Sequence, residues 1–434
     1  MKHLFTSILA FSFFLFGYGQ STPSIMGNDA VEIIDELSTK ILSDYLYPKK
    51  AEIIATRLNN YRNQLISNEM IETKVFTDDV NAIMFDATKD HHLKFYFDQQ
   101  KFEIFQEKNQ TIIDSLEREL YRRVNFGVQK VENLINNIGL LRLNKFQQYE
   151  DVQEVLLGAM MTLANSDAVI IDLRINGGGD GRTMEYLEAF FLSKEEYFNR
   201  ETEFINTTEY RAIKGSCSIC SQLERVPLYI LTGNGTFSAA EGFCYDLQQL
   251  NRAQIIGTKT KGGGHSGSSV ALKNGFLVFI PTSGKDSPIE GVGITPNLET
   301  TEKAAFLSAQ REIMKLFTSS CTDSTLLSQY KWNTQTIEAT LANRQLSNQI
   351  LESFEGEYSA GFSVKVIDSN LYLVNDEKEM KSKLIAIDEG YFIASEKNDF
   401  GEGNYRIQFL NDGQAKLQVN LGVKVAEMPL KKKN

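Results

Sequence analysis

A serine, a run of glycines and a few histidines are the residues of this chain whose types and positions suit catalysis. Ser238 follows the apolar run 226–231 and a turn containing Gly233 and Gly235, and it precedes an amphipathic helix pattern ending near Leu250. A serine at a helix start lies beside unpaired backbone N–H groups, and the positive end of the helix dipole favours an oxyanion. Ser238 is therefore a candidate nucleophile, with an ordinary helix cap as the alternative.

A second glycine-rich turn follows the apolar strand pattern 168–174. Residues 176–181 read Asn-Gly-Gly-Gly-Asp-Gly, and a helix pattern comes next. A phosphate-binding loop is one interpretation, but no Lys-Ser/Thr follows the glycines and the G-x-G-x-x-G order is not matched. Glycines also let the backbone approach a substrate and donate an N–H to an oxyanion. Since both turns follow strands of an α/β pattern, we expect them at one sheet edge, facing one cleft.

Histidines are the candidate general bases, because their pKa lies near neutral pH. His91 and His92 stand where a helix pattern meets a short strand, and neighbouring residues of a strand point to opposite faces. At most one of the two can therefore reach a given site. His265 follows three glycines in another loop, and Glu290 is an acid in a glycine-containing loop. An ordinary loop position is the alternative for the paired histidines.

Composition and charge exclude some classes of partner. The chain has 434 residues, 42% of them hydrophobic and 23% charged, as in ordinary globular proteins. Its length allows two or three domains. The net charge of -11 argues against nucleic acid or an anionic membrane surface as a partner.

The first 19 residues are typical of a secretory signal peptide. A short basic start is followed by the apolar run 4–16, and Gly17 and Gly19 supply the small residues of a cleavage site. The run is too short for a membrane span, and no later segment is apolar enough for one. We expect an exported protein, periplasmic or extracellular, with a buried N-terminal helix as the alternative.

The cysteines suggest a disulfide rather than a metal site. Cys217 and Cys220 are separated by two residues and could close a small loop in an exported protein. Zinc is the other possibility, but no second cysteine or histidine pair stands at metal-ligand spacing. No metal or other cofactor is predicted.

Periodicity divides the chain into five segments. An apolar helical stripe begins near residue 28, and strand–helix–strand units from residue 128 onward predict an α/β core. From residue 356, short β-runs alternating with turns predict a small antiparallel barrel or sandwich. The expected order is a signal peptide (1–19), a helical N-terminal domain (20–120), the core (121–300), a helical linker (301–354) and a β-rich accessory domain (355–434).

Four motifs in sequence order resemble the serine peptidases of the C-terminal-processing peptidase and tricorn-core family. They occupy residues 172–179, 236–241, 256–260 and 290–296. Residues 125–139 are similar to the branch that includes interphotoreceptor retinoid-binding protein modules. The resemblance implies a ClpP/crotonase-like α/β core and the hydrolysis of protein or peptide substrates.

The resemblance also implies roles for individual residues. Ser238 would be the nucleophile, and the N–H of Ala239 with that of Gly177 or Gly178 would form the oxyanion hole. The lysine base of the processing peptidases would stand at Gly263, so a Ser–Lys dyad is absent.

A histidine base is therefore expected instead. The tricorn-like branch uses a histidine before the core and a late glutamate, and the matching positions are His92 and Glu290. His265 is the competing base, and Glu241 is expected either to bind substrate or to cap the helix. The predicted function is an exported serine endopeptidase; the alternative is an inactive relative that binds an apolar or peptide ligand.

Overall fold

The computed structural model describes residues 23–66, 69–106, 110–200, 204–395, 405–422 and 424–433, so the predicted signal peptide lies outside the described residues. The chain forms two compact units. The first combines Met1–Glu117 with Gly263–Gly291, and the second combines Arg118–Gly262 with Val292–Asn434. The segment Gly263–Gly291, which the sequence analysis places in the core, thus belongs to the first unit.

The first unit consists of helices packed on a small sheet. Its helices are α1 (Gly27–Asp44), α2 (Pro48–Arg62), α3 (Thr73–Thr88), α4 (Gln99–Gln106) and the first part of α5 (Gln110–Arg122). Strand β1 (Ser24–Met26) pairs with β2 (Met70–Glu72), and a second antiparallel sheet contains β3 (Lys94–Phe97), β9 (Ser266–Ala271) and β10 (Phe276–Ser283). Strand β10 lies between β3 and β9.

The apolar stripe predicted for the first helix forms part of the core of this unit. Ile33, Ile34 and Leu37 of α1 are fully buried, and they belong to one cluster with Phe95 and Phe276 of the sheet. The hairpin β9–β10 therefore completes a core whose first helix ends more than 220 residues earlier, and local periodicity cannot indicate so distant a partner.

The second unit is built on a six-stranded sheet of order β11-β8-β7-β6-β5-β4. Its strands are β4 (Val128–Leu134), β5 (Ile138–Leu143), β6 (Ala168–Asp172), β7 (Leu228–Thr232), β8 (Ala253–Gly257) and β11 (Leu298–Glu299). Only the edge strand β4 pairs antiparallel with its neighbour. The helices around it are α6 (Tyr149–Leu163), α7 (Gly181–Phe191), α8 (Lys194–Asn199), α9 (Thr207–Ser216), α10 (Ala239–Gln249) and α11 (Glu302–Ser320).

Strands β6 and β7 are buried along their whole length, as their continuous apolar sequences predict. They are adjacent and parallel, so their carboxyl ends meet at one edge of the sheet. The mixed α/β core is confirmed. The disulfide between Cys217 and Cys220 is present beyond α9.

The C-terminal part of the second unit is an antiparallel sheet joined through two helices, α12 (Ser324–Ala342) and α13 (Asn348–Phe354). Its eight strands pair in chain order: β12 (Gly356–Glu357), β13 (Phe362–Ile367), β14 (Asn370–Asn375), β15 (Met380–Ala386), β16 (Tyr391–Ser395), β17 (Tyr405–Phe409), β18 (Gln414–Asn420) and β19 (Val425–Lys431). A bond from the Lys433 N–H to the Glu357 carbonyl brings the last strand back to the first. The predicted antiparallel β domain is confirmed.

Across the described residues, the structure contains no helix that is long and apolar enough to cross a membrane.

Candidate active site

Ser238 lies in the sharp turn that joins β7 to α10. Its backbone angles are φ 56° and ψ -127°, a sparsely populated region for a residue with a side chain. Bonds to the neighbouring loop hold this turn: the Gly235 N–H donates to the Arg174 carbonyl at 3.1 Å, and the Phe237 N–H donates to the Asn176 carbonyl at 3.0 Å. A strained serine between a strand and a helix start is the geometry of an exposed nucleophile.

The glycine loop after β6 packs directly against this turn. Gly178 has φ +85°, and a Cβ placed there would lie 2.6 Å from the Ser238 Cβ and 2.6 Å from the Phe237 carbonyl oxygen. Only glycine fits that position. A Cβ at Gly177 would meet nothing within 4 Å. The two glycine turns therefore meet at one sheet edge, as their order in the sequence predicts.

The expected oxyanion donors differ in their bonding. Ala239 is the first residue of α10, so its N–H belongs to the helix end where amides lack intrahelical acceptors. The Gly178 N–H donates to the Asn176 Oδ1 at 2.8 Å. This bond of Gly178 favours Gly177 as the glycine that donates to an oxyanion.

Glu241 is a buried acceptor that fixes the serine turn. It is fully buried, and its carboxylate accepts from the Ser238 N–H at 3.0 Å, the Gly262 N–H at 2.7 Å and the Thr260 hydroxyl. The Thr260 Oγ1 accepts in turn from the Ile294 N–H at 2.7 Å. These contacts correct the expectation that Glu241 binds substrate, because its oxygens are committed to the protein; the helix-capping alternative describes it better.

An ion cluster supports the start of the glycine loop. Asp172, at the end of β6, is 1% exposed and lies 2.8 Å from the Nε of Arg142 and 2.7 Å from the Nη2 of Arg174. Burial opposes ionisation, but the two guanidinium groups hold the pKa of Asp172 below its ordinary value. The Arg174 Nη1 also donates to the Glu302 carbonyl at 2.7 Å, which joins the loop to α11.

The first unit holds a second cluster, around His265. The His265 Nδ1 lies 2.9 Å from the Asp90 Oδ2 and 3.4 Å from the Glu290 Oε2, and its Nε2 lies 3.2 Å from the Tyr47 Oη. Burial opposes a charge on this imidazole, but the hydrogen bond and charge of Asp90 raise the pKa of His265. Burial also raises the pKa of Glu290, whose Oε2 accepts from the Gly264 N–H at 2.7 Å.

Asp90 links this cluster to the loop that carries His92. Its Oδ1 accepts from the His92 N–H at 2.8 Å, and its Oδ2 accepts from the Tyr45 hydroxyl at 3.0 Å. The loop begins where α3 ends at Lys89, which has a left-handed conformation. The carboxylate thereby fixes the backbone that presents His92.

The three histidines among the described residues of this unit have different surroundings. His92 is 6% exposed, its ring centroid lies 6.5 Å from that of His265, and burial lowers the pKa of His92 to about 4. His91 is exposed and contacts the Phe85 ring. The imidazole that Glu290 approaches is that of His265, whereas the family resemblance pairs Glu290 with His92.

Sequence reasoning missed Asp90, Tyr45 and Tyr47. Asp90 stands two residues before His92, and that spacing is the only signal that could have found it. The tyrosines are distant in sequence from their partners: 218 positions separate Tyr47 from His265, and only the folded unit brings them together.

Residues 137–300 match the model of peptidase family S41. A CtpA-like serine protease of Staphylococcus saprophyticus is 26% identical over 175 residues, which cover 39% of this chain and 34% of that protein. A carboxyl-terminal-processing protease of Picosynechococcus sp. is 28% identical over 165 residues, 37% of this chain and 38% of that protein. The chain thus spans little more than a third of the length of these relatives.

Among solved structures, a lipoprotein from Streptococcus agalactiae is similar with a TM-score of 0.42 and 16% sequence identity, covering 69% of this chain and 99% of that chain. The matched range 137–300 contains the glycine loop, Ser238 and Glu290, in the order of the four motifs. Over these residues, which make up less than half of its length, the chain is therefore similar to peptidase family S41.

Proposed function

We propose that this chain is an exported serine endopeptidase that hydrolyses protein or peptide substrates in the periplasm or outside the cell. The observation that carries the proposal is the strained turn of Ser238, which opens α10 and packs against the glycine loop. The family match and the names of the curated relatives support peptide hydrolysis.

The proposed reaction proceeds through an acyl-enzyme intermediate. The Ser238 Oγ bonds to the carbonyl carbon of the substrate while its proton passes to a histidine. The N–H groups of Ala239 and Gly177 stabilise the oxyanion that forms. Collapse of this intermediate breaks the C–N bond, and the histidine returns the proton to the departing amine. Water then hydrolyses the ester by the same steps.

We assign the base to His92 rather than His265. Both ring nitrogens of His265 already lie within hydrogen-bond distance of a partner, Asp90 on one side and Tyr47 on the other. Taking a proton from serine would break one of these contacts. Burial lowers the pKa of His92 to about 4, which keeps the imidazole neutral at pH 7 but also weakens it as a base, so an acid has to stabilise the imidazolium that forms. Glu290 is proposed as the acid that stabilises the developing imidazolium.

Labelling with a serine-directed fluorophosphonate tests the nucleophile. The wild-type chain is expected to react once and to cleave a casein substrate, whereas Ser238→Ala neither reacts nor cleaves. Ser266→Ala, at the exposed start of β9, is the matched control and keeps both properties. Turnover by a folded Ser238→Ala variant would disprove the proposed mechanism.

Two histidine variants test which histidine acts as the general base. His92→Ala is expected to lower kcat by about 10²- to 10⁴-fold, the contribution of a general base. His265→Gln is expected to retain more activity than His92→Ala. The opposite ranking, in variants with unchanged circular dichroism, would transfer the role to His265.

A non-catalytic binding protein is the second candidate. The observation that favours it is His91, which stands where the tricorn-like pattern has a small polar residue. A folded wild-type chain that does not react with the fluorophosphonate would support this candidate over the peptidase.

A further inference from the structure

We propose that Asp90, His265 and Glu290 form a binding site for a divalent transition-metal ion such as Zn²⁺. All three residues belong to the first unit. Glu290 is also the acid of the proposed peptidase mechanism, so a bound ion would compete with that role. Metal binding itself can be tested in a chain without the Ser238 nucleophile.

The spacing of the three donor atoms suits a tetrahedral ion. The His265 Nδ1, the Asp90 Oδ2 and the Glu290 Oε2 lie within 4.8 Å of one another, and Nδ1 is 2.9 Å and 3.4 Å from the two oxygens. Zinc binds such atoms at about 2.0–2.2 Å, so tetrahedral ligands are separated by roughly 3.4 Å. Binding would require the Asp90 oxygen to move away from Nδ1 by about 0.5 Å and the two carboxylate oxygens to adopt the same separation. The fourth position would then be open to water.

The hydrogen bonds of Tyr47 determine which nitrogen of His265 carries a proton. The Tyr47 hydroxyl has a single hydrogen, and it donates to the Lys285 carbonyl at 2.8 Å. Its oxygen is then left to accept from the Nε2–H of His265, which lies 3.2 Å away. In the neutral imidazole, this tautomer turns the Nδ1 lone pair toward the carboxylates of Asp90 and Glu290.

Three electron-pair donors therefore converge on one point. Such an arrangement is stable when a proton, carried by His265 or by one of the two carboxyl groups, or a metal ion lies between the donors. A proton on Nδ1 is shared unequally, because its distances to the two oxygens are 2.9 Å and 3.4 Å. A divalent ion would neutralise both carboxylates at once.

The ligands are also held from outside, as in established metal sites. Asp90 accepts from the His92 N–H and the Tyr45 hydroxyl, and Glu290 accepts from the Gly264 N–H. Tyr47 fixes the ring of His265 through its other nitrogen. Such outer contacts orient ligands, and their loss costs metal affinity.

The donor set selects the type of metal. An imidazole nitrogen with two carboxylates suits zinc and its transition-metal neighbours. Calcium and magnesium prefer oxygen ligands, six or more in number, so three donors that include a nitrogen disfavour them.

Metal titration of the full chain carrying Ser238→Ala tests the site. We expect one equivalent of Co²⁺ to bind with the visible absorption of a tetrahedral ion, Zn²⁺ to displace it, and Mg²⁺ to have no effect. His265→Gln should abolish the signal, and Tyr47→Phe should weaken binding by about 10-fold. His91→Ala is the control, since His91 is exposed and lies outside the cluster; it should bind like the parent.

Glu290→Gln provides a second ligand variant if His265→Gln fails to fold, and it should also lose the tetrahedral signal. The proposal is overturned if the parent binds no stoichiometric Co²⁺, or if a folded ligand variant binds as tightly as the parent. Because the parent lacks Ser238, failure of the proposed peptidase chemistry would leave these readouts unchanged.

Discussion

At the scale of single residues, the conformation of two neighbouring positions decides how the serine turn is built. Ser238 and Gly178 both have positive φ, and they lie in contact. The sequence indicates a glycine loop and a serine turn at one sheet edge. It does not indicate which glycine contacts the serine turn, because all three consecutive glycines have the same freedom to adopt a positive φ.

We predict that Gly178→Ala lowers kcat strongly. An alanine Cβ would lie 2.6 Å from both the Phe237 carbonyl oxygen and the Ser238 Cβ, at a backbone φ that alanine disfavours. The serine turn has to move, and a displacement of about 1 Å at a reacting atom costs roughly 10²-fold in rate. Steady-state kinetics on a peptide substrate measure the effect.

Gly177→Ala is the matched control for this prediction. Its Cβ would meet nothing within 4 Å, and the N–H proposed for the oxyanion hole is retained. We expect kcat within about threefold of wild type. Equal losses in the two variants would contradict the assignment of the contact to Gly178.

At the scale of elements, local patterns predict strands and helices better than they predict partners. The buried strands β6 and β7 and the helices after them are readable from apolar runs and glycine turns. The placement of the β9–β10 hairpin is not, because its partners lie in α1 and β3, far back in the sequence. The same holds for His265 and Asp90, which are 175 positions apart.

Helices α7 and α10 are joined by a largely buried ion cluster around Arg200. The Arg200 guanidinium lies 2.7 Å from Glu188 of α7, 3.3 Å from Asp246 of α10 and 3.9 Å from Glu185 of α7. One positive charge therefore faces three carboxyl groups, of which those of Glu185 and Glu188 are buried and that of Asp246 is partly exposed. Burial raises the pKa of Glu188 well above its ordinary value, although Arg200 opposes the shift.

We predict that the free energy of unfolding falls less with rising pH in the Glu188→Gln variant than in the wild type. A carboxyl whose pKa is raised in the folded state contributes fully below its unfolded value of 4.5, and that contribution is lost as pH rises toward the folded pKa. Glutamine has the shape of the neutral acid and does not titrate. The free energy of unfolding, measured in urea from pH 4.5 to neutral, should therefore fall less for the variant than for wild type.

Arg200→Met is the companion variant, and we expect it to lower the free energy of unfolding. It leaves buried carboxyl groups without their cation, which costs about 3–5 kcal/mol. A Glu188→Gln variant whose stability declines with pH in parallel with wild type would show that Glu188 is ionised in the folded protein.

At the scale of the whole molecule, the C-terminal sheet is fixed to its unit through α12. The sequence predicts the helix and the strands. It does not indicate that Arg406 joins them, because nothing in the sequence distinguishes Arg406 from other basic residues in strand patterns. In the structure Arg406 is 1% exposed, its guanidinium lies 3.6 Å from the ring centroid of Trp332, and its Nη2 donates to the Trp332 carbonyl at 2.5 Å.

We predict that Arg406→Ala loosens this attachment and can be followed by intrinsic fluorescence. Trp332 is the single tryptophan of the chain and is 8% exposed, so tryptophan emission reports on the surroundings of this residue. Losing charged hydrogen bonds costs about 1.5–3 kcal/mol, and the emission should shift to longer wavelength with a lower denaturation midpoint. Lys416→Ala removes an ion pair with Glu427 that is 38% and 47% exposed, and it should change the midpoint little. Equal midpoints for the two variants would mean that the β domain is held to α12 by its apolar contacts rather than by Arg406.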